Sequence, residues 1–164
     1  MTTTQSWPSL SETDERGVLL RNLADRVHRI VLTSGEWDSR IPGLHLSYVQ
    51  TPYKVPNCFY VLSVGLILQG RKHLNIGKDS YEYGAGSMIV TSVDMPTSYE
   101  LLDVTPSNPF ISLSLKLNPA ILAEIISSES TASEHKSNEV FSIDWATQEL
   151  LEDFDRLLRL LERP

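Results

Sequence analysis

Apolar residues recur at every third or fourth position near the start of the chain and at every second position in its middle, so the period of the pattern divides the sequence. Val18, Leu19, Leu20, Leu23, Val27, Ile30, Val31 and Leu32 fall on one stripe of an amphipathic helix running from Glu12 to about Thr33. Arg21, Asp25, Arg26 and Arg29 occupy its other face. Ser11 is placed to cap its start, and Gly35 stands just past its end. Ahead of it, residues 1–11 read as a polar, mobile leader.

From Leu44 to Leu117 short runs of Val, Ile, Tyr and Leu are broken by Gly, Pro, Asn and Asp. Leu44–Val49, Tyr60–Gln69, Lys72–Ile76, Ser80–Tyr83, Ser87–Ser92, Ser98–Leu102 and Phe110–Leu117 read as strands. Strands at this close, regular spacing predict an all-β barrel or sandwich. Alternation is clearest in the last run, where Ile111, Leu113, Leu115 and Leu117 share one face and Ser112, Ser114 and Lys116 the other. Tyr60–Leu68 is apolar on both faces, which predicts a central strand covered on both sides.

Asn118 and Pro119 then start a short helix over Pro119–Ser127, Asn as the cap and Pro in the first turn. Residues 127–139 are polar and read as a mobile loop, and Ser142–Pro164 as a final helix. In that helix Leu150, Phe154, Leu157 and Leu161 form the seam of a helix pair, widened by Leu151, Leu158 and Leu160. Such a seam serves packing on the chain's own barrel or a contact between two copies, and the pattern leaves both open. A single domain is expected: leader 1–11, helix 12–34, barrel 41–118 and C-terminal helices 119–164.

Charge changes the picture more than composition does. The net charge of −7 comes almost wholly from residues 119–164, where ten acids face four bases. Nucleic-acid binding draws on clustered Lys and Arg, and no such face is present. One cysteine, Cys58, excludes an internal disulfide and suits a reducing compartment. The start has neither a basic region nor an apolar run, and no stretch approaches the roughly 20 apolar residues of a membrane span. A cytoplasmic protein without membrane contact is expected.

Candidate chemistry is sparse. The histidines, His28, His45, His73 and His135, include no His-x-His pair with a following carboxylate, so neither a metal nor another cofactor is expected. Cys58 has no histidine near it in sequence, and no Gly-x-Ser-x-Gly elbow exists. Gly84-Ala85-Gly86 opens a strand and reads as a turn rather than a phosphate cradle. The tyrosines give the more interesting signal. Tyr48, Tyr60, Tyr81, Tyr83 and Tyr99 fall on predicted strands, where a flat ring with a hydroxyl suits either a rim position or the lining of a small-molecule pocket. Tyr48, Tyr60, His73, Tyr83, Tyr99 and Ser114 are the candidate pocket residues, with Gln69 on the same terms.

The segment YVLSVGLILQGRKHLNIGKDSYEYGAGSMIVTSVDMPTSYEL at 60–101, continued by PFISLSLKLNPAIL at 109–122, resembles the N-terminal domain of AraC-type transcriptional regulators. The resemblance extends over about 41–126 and, more loosely, over the flanking helices. It implies a cupin-like barrel that senses a small effector, followed by a helix used for dimerisation. DNA binding in that family belongs to a C-terminal unit with two helix-turn-helix motifs, and the helices at 119–163 are separated by too long a loop to be one. The expectation is therefore a homodimeric sensor domain cut at a linker, with an unidentified effector and no catalytic residue. The rival reading is a cupin-fold metal-dependent enzyme, a dioxygenase or isomerase.

Overall fold

The computed structural model describes residues 2–3, 14–128 and 139–163. Strand β1 is Thr2–Thr3, and helix α1 is Glu15–Ile30 with Asp14 at its N-cap. The rest of the expected leader and the proposed Ser11 cap lie outside the described residues, as does most of the expected 127–139 loop. The helix is shorter than its apolar stripe because Val31 is already extended, leaving Leu32 in solvent. Its buried face is Gly17, Leu20, Leu23, Ala24 and Val27.

The barrel strands follow: β2 Gly35–Asp38, β3 Leu44–Val49, β4 Lys54–Tyr60, β5 Ser63–Gln69, β6 Arg71–Ile76, β7 Asp79–Gly84, β8 Ser87–Thr91, β9 Met95–Leu102 and β10 Phe110–Lys116. Helix α2 spans Pro119–Ser128, strand β11 Phe141–Trp145 and helix α3 Gln148–Glu162. One sheet has the order β1-β7-β6-β9-β4, the other β11-β8-β5-β10-β3-β2. All pairings are antiparallel except that of Thr2–Thr3 beside β7. Val49, Ile67, Ile89 and Phe110 of the second sheet meet Leu74, Tyr83, Tyr99 and Leu101 of the first in one apolar cluster, so the sheets face each other. This is the mostly β, cupin-like barrel with flanking helices. β5 is central in its sheet, as expected, but only its helix face, with Leu66 and Leu68, is wholly apolar, and Ser63 and Gly65 stand on the other.

Two expectations are corrected, and one strand is added. The run Tyr60–Gln69 is not one strand: β4 ends at Tyr60 and β5 starts at Ser63. β4 contains Pro56, which cannot donate to a ladder; it lies at a sheet edge with its register shifted between Val55 and Cys58. Finally, Ser142 does not open a helix. Phe141, Ile143 and Trp145 turn inward along β11, paired with β8, and α3 begins only after Thr147, whose side-chain oxygen accepts from Leu150 N at 3.2 Å.

The second sheet has two unlike faces. Leu44, Leu46 and Tyr48 of β3, Leu66 and Leu68 of β5, and Ile111 and Leu113 of β10 point outward under α1 and α3. They join Leu20, Leu23, Val27, Leu151, Phe154 and Leu158 in the larger core. Each fully buried leucine contributes about 1.5–3 kcal/mol of transfer free energy, so this layer dominates stability. A polar link joins the helices: Arg26 Nε of α1 reaches Asp155 of α3 at 3.1 Å, and within α3 Arg159 Nε holds the same carboxylate at 2.7 Å. Arg26 also pairs with Glu162. From the β2–β3 connection, Arg40 donates to the carbonyls of Leu160 at 2.7 Å and Leu161 at 3.0 Å, and to that of Arg163, closing the end of α3.

Candidate functional site: a cavity between the sheets

The inner face of the second sheet carries small and polar residues where the outer face carries leucines. Ser47 on β3, Ser63 and Gly65 on β5, and Ser112 and Ser114 on β10 all turn inward. Small side chains there cannot fill the space between the sheets, and a cavity of about 500 Å³ results. That volume is in the range of small-molecule sites. Ile67 and Ile89 supply apolar wall, and Tyr60, Lys72, Tyr83 and Tyr99 close it from the first sheet. Glu36, Trp37 and Asp38 of β2, with His45, form the rim. His45 Nδ1 is paired with the Asp38 carboxylate.

Lys72 is the cation of this interior. Its ammonium lies 4.3 Å from the Tyr99 ring centroid, 5.5 Å from that of Phe110 and 5.8 Å from that of Tyr60. It donates to Tyr60 Oη at 3.3 Å. Among the described residues no carboxylate lies within ion-pair distance of it. Burial lowers its pKa to about 8, against a partial opposing pull from Glu36. Tyr99 Oη donates to Glu36 Oε1 at 3.1 Å, tying the first sheet to β2. Burial also raises the hydroxyls of Tyr60, Tyr83 and Tyr99 above the usual phenol range, so all three are neutral donors near pH 7. Cys58 Sγ is 2.9 Å from Thr97 Oγ1 on the β4 wall.

Of the candidate pocket residues, Tyr60, Tyr83, Tyr99 and Ser114 come together in this lining. Tyr48 does not: it lies on the helix side of β3, stacked on His28 at 4.7 Å, with its hydroxyl 3.2 Å from His28 Nε2. His73 does not either, because it alternates with Lys72 and sits in register between Glu82 and Glu100 on the outer face of β6. Gln69 spends its amide on Pro109 O at 2.9 Å. The sequence reading missed Lys72, Glu36 and Ser112. Strand parity was the available signal: with Leu74 and Ile76 inward on β6, Lys72 is inward and His73 outward. Among the described residues, no three His, Cys, Asp or Glu side chains are grouped to hold a metal ion.

In α3 the residues nearest the core are Leu151, Phe154 and Leu158. Leu150, Leu157 and Leu161 of the expected seam are half-buried beside them, and Leu160 is exposed. The helix therefore packs on its own α1. None of the described helices is long and apolar enough to cross a membrane.

The family profile for the AraC-type transcriptional regulator N-terminus matches residues 40–164. No curated protein matches the chain in sequence at a significant level. Among solved structures, apo ToxT K231A from Vibrio cholerae is similar, at TM-score 0.54 and 8% identity, over 77% of this chain and 51% of that one. Wild-type ToxT of the same organism with a bound unsaturated fatty acid gives TM-score 0.51 and 12% identity, over 74% of this chain and 45% of that one. The chain thus spans about half the length of these structural relatives.

Proposed function

We propose, for a chain that belongs to the AraC-type transcriptional regulator N-terminus family, that the cavity between the sheets is the effector site of a transcription regulator. Its occupancy is read out by the α1–α3 layer, and DNA binding is done by a part of the regulator outside this chain. The observation that carries this is the two-faced sheet. Along β3, β5 and β10, residues facing the cavity alternate with residues packed under α1 and α3. A molecule that moves Ser112 or Ser114 moves Leu113 by the same backbone, and a close-packed core passes such a shift on. A fatty acid bound by a distant relative with this fold supports a small-molecule occupant. A differential affinity giving about 1–3 kcal/mol of coupling is enough for a roughly 5–150-fold regulatory effect.

Dimerisation is part of the same proposal. Leu160, with the half-buried flank of Leu157 and Leu161, gives α3 an apolar edge beyond the one it spends on α1. The proposal is of a cytoplasmic, non-enzymatic homodimer, in which two copies would hold two DNA-binding units at a fixed spacing for paired half-sites. The sensing half is tested by a thermal-shift screen of metabolites against the wild-type chain and Ser112→Phe, which fills the cavity. Compounds that raise the melting temperature of the wild type and not of the variant are expected. If no compound does so, the cavity is not an effector site.

A further inference from the structure

The chemistry of the effector is written in the charges of the cavity, and this step rests on the effector-site reading above. Lys72 brings an ammonium into a space walled by Tyr60, Tyr99, Phe110 and Ile67, and its one hydrogen-bond partner among the described residues is the Tyr60 hydroxyl. An ammonium away from bulk water is costly unless something neutralises it. The carboxylates nearest the cavity do not. Asp38 is committed to His45, and Glu36 accepts from Tyr99 at the rim.

We propose that the effector is a small monocarboxylate with an apolar body, its acid group paired with Lys72 and its body lying against Ile67 and Ile89. Four physical arguments select this class. A neutral occupant displaces water from the ammonium and returns no charge, so it leaves the cost in place. A cationic one meets aromatic faces already occupied by Lys72. A dianion carries a second charge toward Glu36 and Asp38, which line the same cavity. A monoanion instead completes the set of donors: the Lys72 ammonium, the Tyr60 hydroxyl, and the serine hydroxyls of the opposite wall, Ser112 and Ser114. Apolar wall between these polar groups then accommodates a hydrocarbon or aryl body, and the inward serines leave it room.

The test uses four probes that share one body and differ in charge: octanoate, 1-octanol, octylamine and octyl phosphate, titrated into the full chain at pH 7 by calorimetry. Octanoate is expected to bind at least tenfold more tightly than each of the others. Lys72→Met is expected to remove that preference, bringing octanoate to or below 1-octanol. Lys72→Arg, which keeps the charge, is expected to retain a preference and guards against a folding artefact in the first variant. Equal binding of octanoate and 1-octanol, or an undiminished preference in folded Lys72→Met, overturns the monocarboxylate assignment and leaves the cavity an effector site for another class. If none of the four binds, the assignment also falls, and the metabolite screen with Ser112→Phe alone decides the sensing reading.

Discussion

Lys72 should weaken the empty domain, and the size of that effect follows from the structure. Its pKa falls from the ordinary 10.5 to about 8 on burial. At about 1.4 kcal/mol per pH unit, the charged form is about 3 kcal/mol less favourable in the fold than in the unfolded chain at pH 7. Contact of the ammonium with the Tyr99 and Phe110 rings returns about 1 kcal/mol. Lys72→Met, similar in length and apolar, is therefore expected to stabilise the ligand-free protein by about 2 kcal/mol. In urea, where a small domain loses about 1–3 kcal/mol per molar, the midpoint should rise by about 1 M.

The same quantity has a pH signature. Between about pH 8 and 10 the folded ammonium has lost its proton while the unfolded one keeps it, so the unfolded state binds more protons and stability rises with pH. Toward about pH 10 the direction reverses. Unfolded phenols then ionise, while Tyr60, Tyr83 and Tyr99 are held neutral in the fold, and the folded state binds the extra protons. Wild-type urea midpoints should thus climb from pH 8 to a maximum between about 9 and 10, and those of Lys72→Met should show no such rise and decline as the unfolded phenols begin to ionise. A variant no more stable than wild type at pH 7, together with the same pH profile in both, refutes the claim that an uncompensated ammonium sits in the cavity.

Other substitutions probe the remaining contacts. Leu158→Ala empties a fully buried position between α3 and α1 and should cost about 2–5 kcal/mol, read as a melting temperature lower by roughly 10 °C. Arg40→Ala removes the donor that closes α3, and should cost about 0.5–1 kcal/mol with faster amide exchange confined to the last turn of that helix. Gly70→Ala places a Cβ 3.0 Å from Phe110 Cδ2 at a backbone φ of +90°, so it should lose about 1–3 kcal/mol in chemical denaturation. Leu157→Glu with Leu160→Glu should halve the mass seen in sedimentation velocity. An unchanged mass assigns that edge of α3 to the fold alone.

The barrel was legible because its strands obey a two-residue period, and where that period is interrupted the reading failed. Pro56-Asn57 hides β4, since proline argues against a strand except at an edge or bulge, the position β4 occupies. β2 is four residues beginning with glycine and only slightly buried, too short for any period to emerge. β11 did carry its signal, in the alternation of Phe141, Ile143 and Trp145, but the helical pattern that follows it overran the boundary. In α3 the leucines are dense enough to fit two neighbouring seams, and only the position of α1 selects Leu151, Phe154 and Leu158. The site was half legible for a related reason. Residue type picked out the tyrosines, but which face a strand residue takes depends on parity, and parity separates Tyr83 from Tyr48 and Lys72 from His73.

Parity also explains how one sheet can serve both sensing and coupling. In a barrel with leucines inward, the interior is filled and a ligand has no place to enter. Here the leucines of β3, β5 and β10 face the helices, and the cavity side of those strands carries Ser47, Ser63, Gly65, Ser112 and Ser114 beside the apolar cluster that joins the sheets. The helix layer in turn depends on β2. Glu36 of that strand is bonded to Tyr99 in the cavity wall, and Arg40, four residues on, holds the carbonyl end of α3. An anion beside Lys72, as proposed above, would bring negative charge toward Glu36, which lines the same cavity. Strand β2 is short, mostly exposed and at an edge of the sheet, where a shift breaks pairing on one side only. Any such shift reaches α3 through Arg40. On the monocarboxylate reading proposed above, the occupant's charge beside Glu36 would then add a second route to the helix layer, alongside its contact with Ser112 and Ser114.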